Sequence, residues 1–327
     1  MKLLEQFNSL VLPVSNNGKL FNAVSLQNHP FAKIAINNFG YPVLLISSKS
    51  DNTFLAQKNI RLKYLELTHK LECKITENRK STFANFTVII FKSEEPNLQN
   101  YFLSIAESLL DELSENPTQK EVYTIFSSFI EIFRSLSVSP STTVQGLWSE
   151  LFLIANSTNP SILLRYWHYS PIEKFDFNAD NEKVEVKSSS NLERIHFFTS
   201  EQLNPPPDKL VIIASLFTKQ SAKGKSISDL IEIITEKINN KVVLEKLYLI
   251  IGKTLGNTVE QGIKIKFDYE LAEKSLKYFS VQDISKIEKV NIPNQVTEVK
   301  YKSDLTNIKE VNLKIDIKSD GELFYAL

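Results

Sequence analysis

A single cysteine, Cys73, stands in 327 residues. One thiol builds neither an internal disulfide framework nor a Cys-based zinc site, and such sparing use fits a reducing interior. Glycine is scarce, with 8 in the chain, and no Gly-x-Ser-x-Gly elbow is among them. The stretch IIGKTLG (250–256) ends like a P-loop. It has Leu247 where a Walker motif needs its first glycine, and it lies within a helical pattern. An excess of one charge is also missing. Lys+Arg and Asp+Glu number 38 each, so nothing steers the whole molecule toward nucleic acid or anionic lipid, although a local basic patch remains compatible with that balance. Long apolar runs are absent as well. LVIIASLF (210–217) and LYLIIG (247–252) are too short to span a bilayer. The first residues, MKLLEQFNSL, are broken by Glu5, Gln6 and Asn8 and make a poor secretory signal. The expectation is a soluble cytoplasmic protein. The four histidines, His29, His69, His168 and His196, show no ligand spacing such as H-x-x-x-H and are read as ordinary surface or satisfied residues.

What is present is ordinary globular material: 42% hydrophobic and 23% charged residues, in a chain long enough for one large or two modest domains. Between 31 and 92, FAKIAI, YPVLLISS, RLKYLEL and FANFTVIIF read as strands between polar turns. Residues 97–113 and 118–136 carry apolar residues at helical spacing. The Ser/Thr/Pro stretch SVSPSTT (137–143) is the best boundary. Beyond it the order predicts a helix over 143–156 and strands near 162–167, 174–178, 183–189 and 193–199. A buried strand over 209–217 and helices near 226–240 and 242–254 follow. GIKIKFDYEL (262–271) and TEVKYKSDL (297–305) look strand-like. The tail from 283 is weakly patterned. This divides the chain into a strand-rich α+β domain over 1–140 with two trailing helices, a core over 141–282, and a C-terminal extension over 283–327. The first 140 residues carry no recognisable chemistry, and an interaction or recognition role is assigned to them only by exclusion.

Chemistry concentrates in KFDFNADNEKVEVKSSS (174–190). Strand side chains alternate, so Asp176 points away from Phe175 and Phe177, and Glu185 and Lys187 point away from Val184 and Val186. With a loop at 179–182, Phe177 pairs with Val184, and Asp176 faces Glu185. Directly opposed Cβ atoms lie roughly 5 Å apart, where like charges repel. A divalent cation makes such a pair favourable, because Mg²⁺ is held by one or two carboxylates plus waters and phosphates. Charged residues on a wet hairpin face are also commonplace. The Glu-x-Lys pattern recurs at 72–74 and 298–300, so the tripeptide alone says almost nothing. The copy at 185 differs in context. An aspartate sits in the preceding strand, and the earlier helix TVQGLWSELFLIA (143–155) carries Glu150 beside its stripe of Leu147, Leu151 and Ile154. Alone, such an acid is either a rim residue or an inward-facing ligand.

The order helix-Glu, strand-Asp, strand-Glu-x-Lys resembles the PD-(D/E)XK nuclease superfamily over about 145–220, carried by Glu150, Asp176, Glu185 and Lys187. GLWSELFLI, YWHYSPIEKFDF, VEVKSSS, RIHFFTSEQL and KLVIIASLF look more closely like an uncharacterised bacterial family grouped with that superfamily. Its relatives tend to be encoded in restriction or phage-defence gene clusters. One departure is visible: Phe175 stands where the motif's name has proline, a position that is not a ligand.

The resemblance implies a restriction-endonuclease-like fold, a mixed α/β sheet flanked by helices, within a chain that is α+β overall. It implies Mg²⁺-dependent hydrolysis of DNA phosphodiesters, with Mn²⁺ able to substitute. Asp176, Glu185, the carbonyl of Val186 and Glu150 would hold the metal, and Lys187 would orient or activate water. It also implies protein partners from the same gene cluster, an ATPase or helicase or a methyltransferase, and a homodimer is a further expectation. Candidate DNA contacts are Gln202, Arg194 and His196, the last two read as alternating outward on one strand. Lys223 and Lys225 join them from the glycine-containing loop TKQSAKGKS (218–226), in a stretch from Lys209 to Lys277 with twelve lysines against eight acids. The other reading is a non-catalytic DNA-binding or assembly module that keeps the nuclease fold.

Overall fold

Apolar strands followed by two amphipathic helices make the first half of the fold. The computed structural model describes residues 2–14, 20–49, 59–77, 80–136, 143–169 and 173–327. The chain divides into two units, Met1–Pro140 with Leu255–Glu260, and Ser141–Thr254 with Gln261–Leu327. The expected break at 137–143 lies, up to Thr143, outside the described residues.

In the first unit, α1 (Leu3–Asn8) precedes β1 (Phe21–Ser25), β2 (Ala32–Asn37), β3 (Pro42–Ile46), β4 (Ile60–Arg61), β5 (Leu65–Glu77) and β6 (Lys80–Phe91). These strands form one antiparallel sheet in the order β1-β2-β3-β6-β5-β4. Ala35, Val43, Leu45, Phe86 and Val88 form a core cluster on it. Helices α2 (Pro96–Leu110) and α3 (Gln119–Ser135) follow, as their periodicity predicts. Thr118 caps α3 by accepting from the Glu121 N–H, and Glu121 returns the bond to the Thr118 N–H. Phe91, Phe102, Phe129 and Phe133 pack ring on ring, with centroids 4.8 to 5.9 Å apart.

The second unit begins with α4 (Val144–Asn156), capped by Thr143, whose hydroxyl accepts from the Gly146 N–H. Every residue from Leu147 to Ala155 is buried. A helix covered all round is a core element, and Glu150 sits in its middle. Next comes α5 (Pro160–Tyr166), where a strand is expected from the apolar run. Pro160 at the first helical turn pre-sets the helical φ, and an apolar run this short does not reveal its own period.

β7 (Phe177–Asn178), β8 (Glu182–Ser189), β9 (Ile195–Thr199), α6 (Ser200–Leu203) and β10 (Leu210–Phe217) follow. β10 runs parallel to β8, and β7 pairs antiparallel with the other edge of β8. With β13 (Lys277–Ser280) antiparallel on β10, the sheet order is β13-β10-β8-β7. The unbroken apolar run of β10 is what a strand buried on both faces requires. Phe175, Phe198, Leu203, Val211, Ile213, Phe279 and Leu305 belong to one core cluster beside it.

Between β10 and β13 lie β11 (Gln220–Ser226), α7 (Ile227–Glu236), α8 (Lys241–Leu255), α9 (Val259–Gly262), β12 (Lys266–Phe267) and α10 (Tyr269–Ser275). The lysine segment expected as a loop is therefore strand β11, paired with β12. A Cβ on Gly224 would lie 2.0 Å from the Phe267 carbonyl oxygen, so only glycine permits that approach. The strand-like reading of 262–271 shrinks to two residues because Asp268 accepts from the Leu271 N–H and starts α10.

The tail after 283 is built into this unit. β14 (Lys300–Asp304) pairs with β9, and α11 (Glu322–Ala326) donates the Leu323 and Phe324 N–H groups to buried Glu182. The whole is mixed α+β. No helix among the described residues is long and apolar enough to cross a membrane.

Candidate active site

β7 meets β8 with Phe177 opposite Val184 and Asn178 opposite Lys183, the register the loop at 179–182 predicts. The ladder stops at Phe177, and Asp176 is held differently from the expected cross-strand pair. Its Oδ2 accepts the Val186 backbone N–H at 2.7 Å. A side chain thus takes an edge donor of β8 that would otherwise need another partner. Asp176 is fixed from behind by the chain before it. Trp167 bridges Phe177, and the His168 N–H donates to the Asp176 carbonyl at 2.9 Å.

Glu150 reaches the same place from α4. It is 8% exposed. Its Oε2 accepts the Trp167 indole N–H at 2.6 Å and lies 3.3 Å from His168 Nε2. One ligand atom each from Glu150, His168 and Asp176 lie within 4.8 Å of one another. Glu185 falls outside that tightest group and is organised by a different set of partners. It is 5% exposed, and its Oε1 accepts from Lys187 Nζ at 2.6 Å and from Gln202 Nε2 at 2.7 Å. Lys187 Nζ also sits 5.1 Å above the Phe198 ring and 3.4 Å from Gln202 Oε1.

The electrostatics are those of an acidic cluster short of positive charge. Burial pushes the Asp176 carboxyl well above the ordinary range, and the neighbouring charges of Glu185 and Glu150 push it further, against the Val186 N–H and Lys187. Burial also raises Glu185, while the charge and hydrogen bond of Lys187 hold it down.

The donor set fits a hard divalent cation. Three carboxylates converge, and hydrogen bonds engage one oxygen of each: Oε2 of Glu150, Oδ2 of Asp176 and Oε1 of Glu185. Among the described residues the second oxygen of each accepts none. Such oxygens suit Mg²⁺ or Mn²⁺.

The remaining expected residues divide. Gln202 is 9% exposed and spends its amide inside the fold, donating to Glu185 and to the Lys174 carbonyl and accepting from the Thr199 N–H. It positions the glutamate and the lysine and has no polar atom left for DNA. Arg194 and His196 do not face outward. Arg194 donates to the Ser215 carbonyl and hydroxyl, both at 2.8 Å, and to the Ser275 carbonyl. His196 is 4% exposed, 2.8 Å from Ser215 Oγ, and burial with Lys187 and Arg194 nearby lowers its pKa to about 4. The alternation on β9 is as expected but its phase is inverted, with Ile195 and Phe197 exposed instead. Lys223 is exposed on β11, and Lys225 lies with Nζ 5.3 Å from the centre of the Tyr269 ring.

Trp167 and His168 are the residues that sequence reasoning passed over. Their signal was present in YWHY, eight residues before Asp176, but spacing along the chain could not show that these rings fold back onto Glu150.

The family model described as "Putative PD-(D/E)XK family member, (DUF4420)" matches residues 4–306. Searches of curated proteins and of solved structures give no match. The chain belongs to that PD-(D/E)XK family, and the match takes in the first unit as well as the motif-bearing second.

Proposed function

We propose that this PD-(D/E)XK family member is a divalent-metal-dependent endodeoxyribonuclease, the cutting component of a bacterial restriction or phage-defence system. One observation carries the reading. Glu150, Asp176 and Glu185 converge with an oxygen of each left over, and Lys187 stands 2.6 Å from one of them. Grouping two buried acids, Glu150 and Glu185, with the half-buried Asp176 costs stability unless something neutralises them. A purely structural role has no use for that arrangement.

Asp176, Glu185 and Glu150 would hold the metal, with the Val186 carbonyl beside them. A bound divalent ion there supplies Lewis-acid polarisation of the scissile phosphate and a more acidic water. The chain's own groups do the rest. The Val186 N–H fixes the Asp176 carboxylate, and Trp167 fixes that of Glu150. Gln202 ties Glu185 to the cap of α6. Lys187 has three ammonium protons. Two are directed at Glu185 and Gln202. The third is left for an attacking water or a non-bridging phosphate oxygen, where the charge stabilises what develops during attack. Exposed Lys223, with Lys225 beside it on β11, is suited to hold the DNA backbone. The chain's balanced charge suggests that target choice depends on partners such as an ATPase, helicase or methyltransferase of the same gene cluster.

Supercoiled plasmid incubated with the protein in Mg²⁺, Mn²⁺ or EDTA tests this. Nicking or linearisation is expected with either metal and not with EDTA, and Asp176→Ala and Lys187→Ala should each abolish it. Metal-dependent cleavage that survives both substitutions contradicts the assignment.

A further inference from the structure

His168 has no role in the nuclease reading, yet the fold goes to some length to place it. After α5 the chain turns extended at Trp167, with φ −63° and ψ 136°. The Trp167–Phe177 bridge and the 2.9 Å bond from the His168 N–H to the Asp176 carbonyl then lay His168 beside Asp176 on the adjoining segment. The imidazole is 11% exposed, and Nε2 faces Glu150 Oε2 at 3.3 Å. That distance is long for a strong hydrogen bond between an imidazole and a carboxylate. Trp167 already supplies Glu150 with a short donor at 2.6 Å, so the carboxylate does not need the histidine to be held.

The ligand atoms of Glu150, His168 and Asp176 lie within 4.8 Å of one another. Bonds of about 2.0–2.2 Å put two donors of one ion no more than about 4.4 Å apart, so a small closure completes the set. We infer that His168 is a direct nitrogen ligand at the metal centre, which with Glu150 and Asp176 makes it a site for a first-row transition dication, Mn²⁺ binding more tightly than Mg²⁺. This rests on the metal-dependent reading above and changes the expected choice of ion. Two carboxylates serve any hard cation. The imidazole adds affinity for a transition ion and little for Mg²⁺, which takes oxygen ligands and gives up its waters reluctantly. Glu185, tied by Oε1 to Lys187 and Gln202, keeps its other oxygen for the same ion and is the member of the acidic set that also faces the lysine.

The test uses the full chain and the metals alone. Pulsed electron paramagnetic resonance on protein with sub-stoichiometric Mn²⁺ should show ¹⁴N modulation from one imidazole. The modulation should vanish in His168→Gln and persist in His196→Gln. Calorimetric titration should give Mn²⁺ the tighter binding. His168→Gln should weaken Mn²⁺ by roughly tenfold or more, a loss even an outer partner of a ligand can cause, and leave Mg²⁺ nearly unchanged. His168→Asp, which keeps a ligand but removes the nitrogen, should reverse the preference toward Mg²⁺ and guards against a folding failure of the glutamine variant. Mn²⁺ bound by the wild type without nitrogen modulation overturns the inference and leaves the metal-dependent reading standing. No binding of either metal overturns both.

Discussion

Trp167 donates its indole N–H to Glu150 Oε2 over 2.6 Å, across 17 residues of sequence. A tryptophan with its ring fully buried thereby aims a carboxylate that rises from the middle of a buried helix. The pair explains how an acid survives on α4, and it makes the indole a support of the candidate site, aiming a carboxylate that the indole itself holds in place.

Trp167→Phe keeps most of the packing and removes that donor. A buried acceptor left short of a hydrogen bond costs about 1–3 kcal/mol, so the denaturant midpoint should fall. Metal affinity measured by calorimetry should drop by about 10- to 100-fold, the range found when a ligand's supporting bond is cut. An unchanged affinity would show that Glu150 is either held adequately by His168 or not a ligand.

Asp176→Asn should stabilise the metal-free protein at neutral pH. The Asp176 carboxyl titrates well above its ordinary range, so the folded state binds a proton that the unfolded state has released. Stability without metal therefore falls as pH rises from the ordinary carboxylate range through the raised value. Each unit of displacement corresponds to about 1.4 kcal/mol. Asparagine removes this loss, and its pH–stability curve in EDTA should be flatter than the wild type's. The same variant should lose metal-induced stabilisation. A destabilised Asp176→Asn in EDTA would mean that the carboxylate is already compensated.

Acid should unfold the protein partly through His196. Its folded pKa is about 4 against an ordinary 6.5. Between those values the unfolded chain binds the proton and the folded chain does not, so stability is lost as pH falls through that window. The displacement amounts to about 3 kcal/mol. His196→Gln retains a partner for Ser215 Oγ and should lose that part of the acid sensitivity, read as the difference between the two pH–Tm curves.

Arg194 and the β11 lysines should separate cleanly. Arg194→Ala leaves the Ser215 and Ser275 acceptors without their guanidinium and should cost about 3 kcal/mol or more. It should not change how DNA affinity depends on salt. Lys223→Ala with Lys225→Ala should leave the Tm nearly unchanged and reduce the slope of log K against log salt by about 0.9 for each phosphate that is no longer neutralised. A reduced slope for Arg194→Ala, with the fold intact, would return Arg194 to the DNA surface.

Much of the site was legible where local pattern dictates structure. The register Phe177–Val184 follows from period-two alternation and a short polar loop, and α4 follows from a dense apolar run with a threonine cap. The apolar string of β10 could only be a central strand or a buried helix segment, and its length and β-branched residues decide for the strand. Other features depend on contacts that sequence spacing does not encode. Alternation on β9 places Arg194, His196 and Phe198 on one face but does not say which face is inward. The answer lies in Ser215 on β10, which supplies acceptors for the guanidinium. The lysine segment became a strand because β12, forty residues later, lies against it and Gly224 lets Phe267 come close. His168 was invisible for the same reason: its partners are 18 residues before it and 8 after it, on separate elements.

The thermal midpoint of the full chain in EDTA and in excess Mn²⁺ or Mg²⁺, beside Asp176→Ala, tests most directly whether the acids are grouped for a metal. An ion that binds only the folded state stabilises it by about 2.7 kcal/mol at a hundred times its Kd. The wild-type midpoint should rise by several degrees with either metal, and Asp176→Ala should not respond. A wild-type midpoint that stays fixed across millimolar Mn²⁺ and Mg²⁺ would contradict a metal centre at Glu150, Asp176 and Glu185.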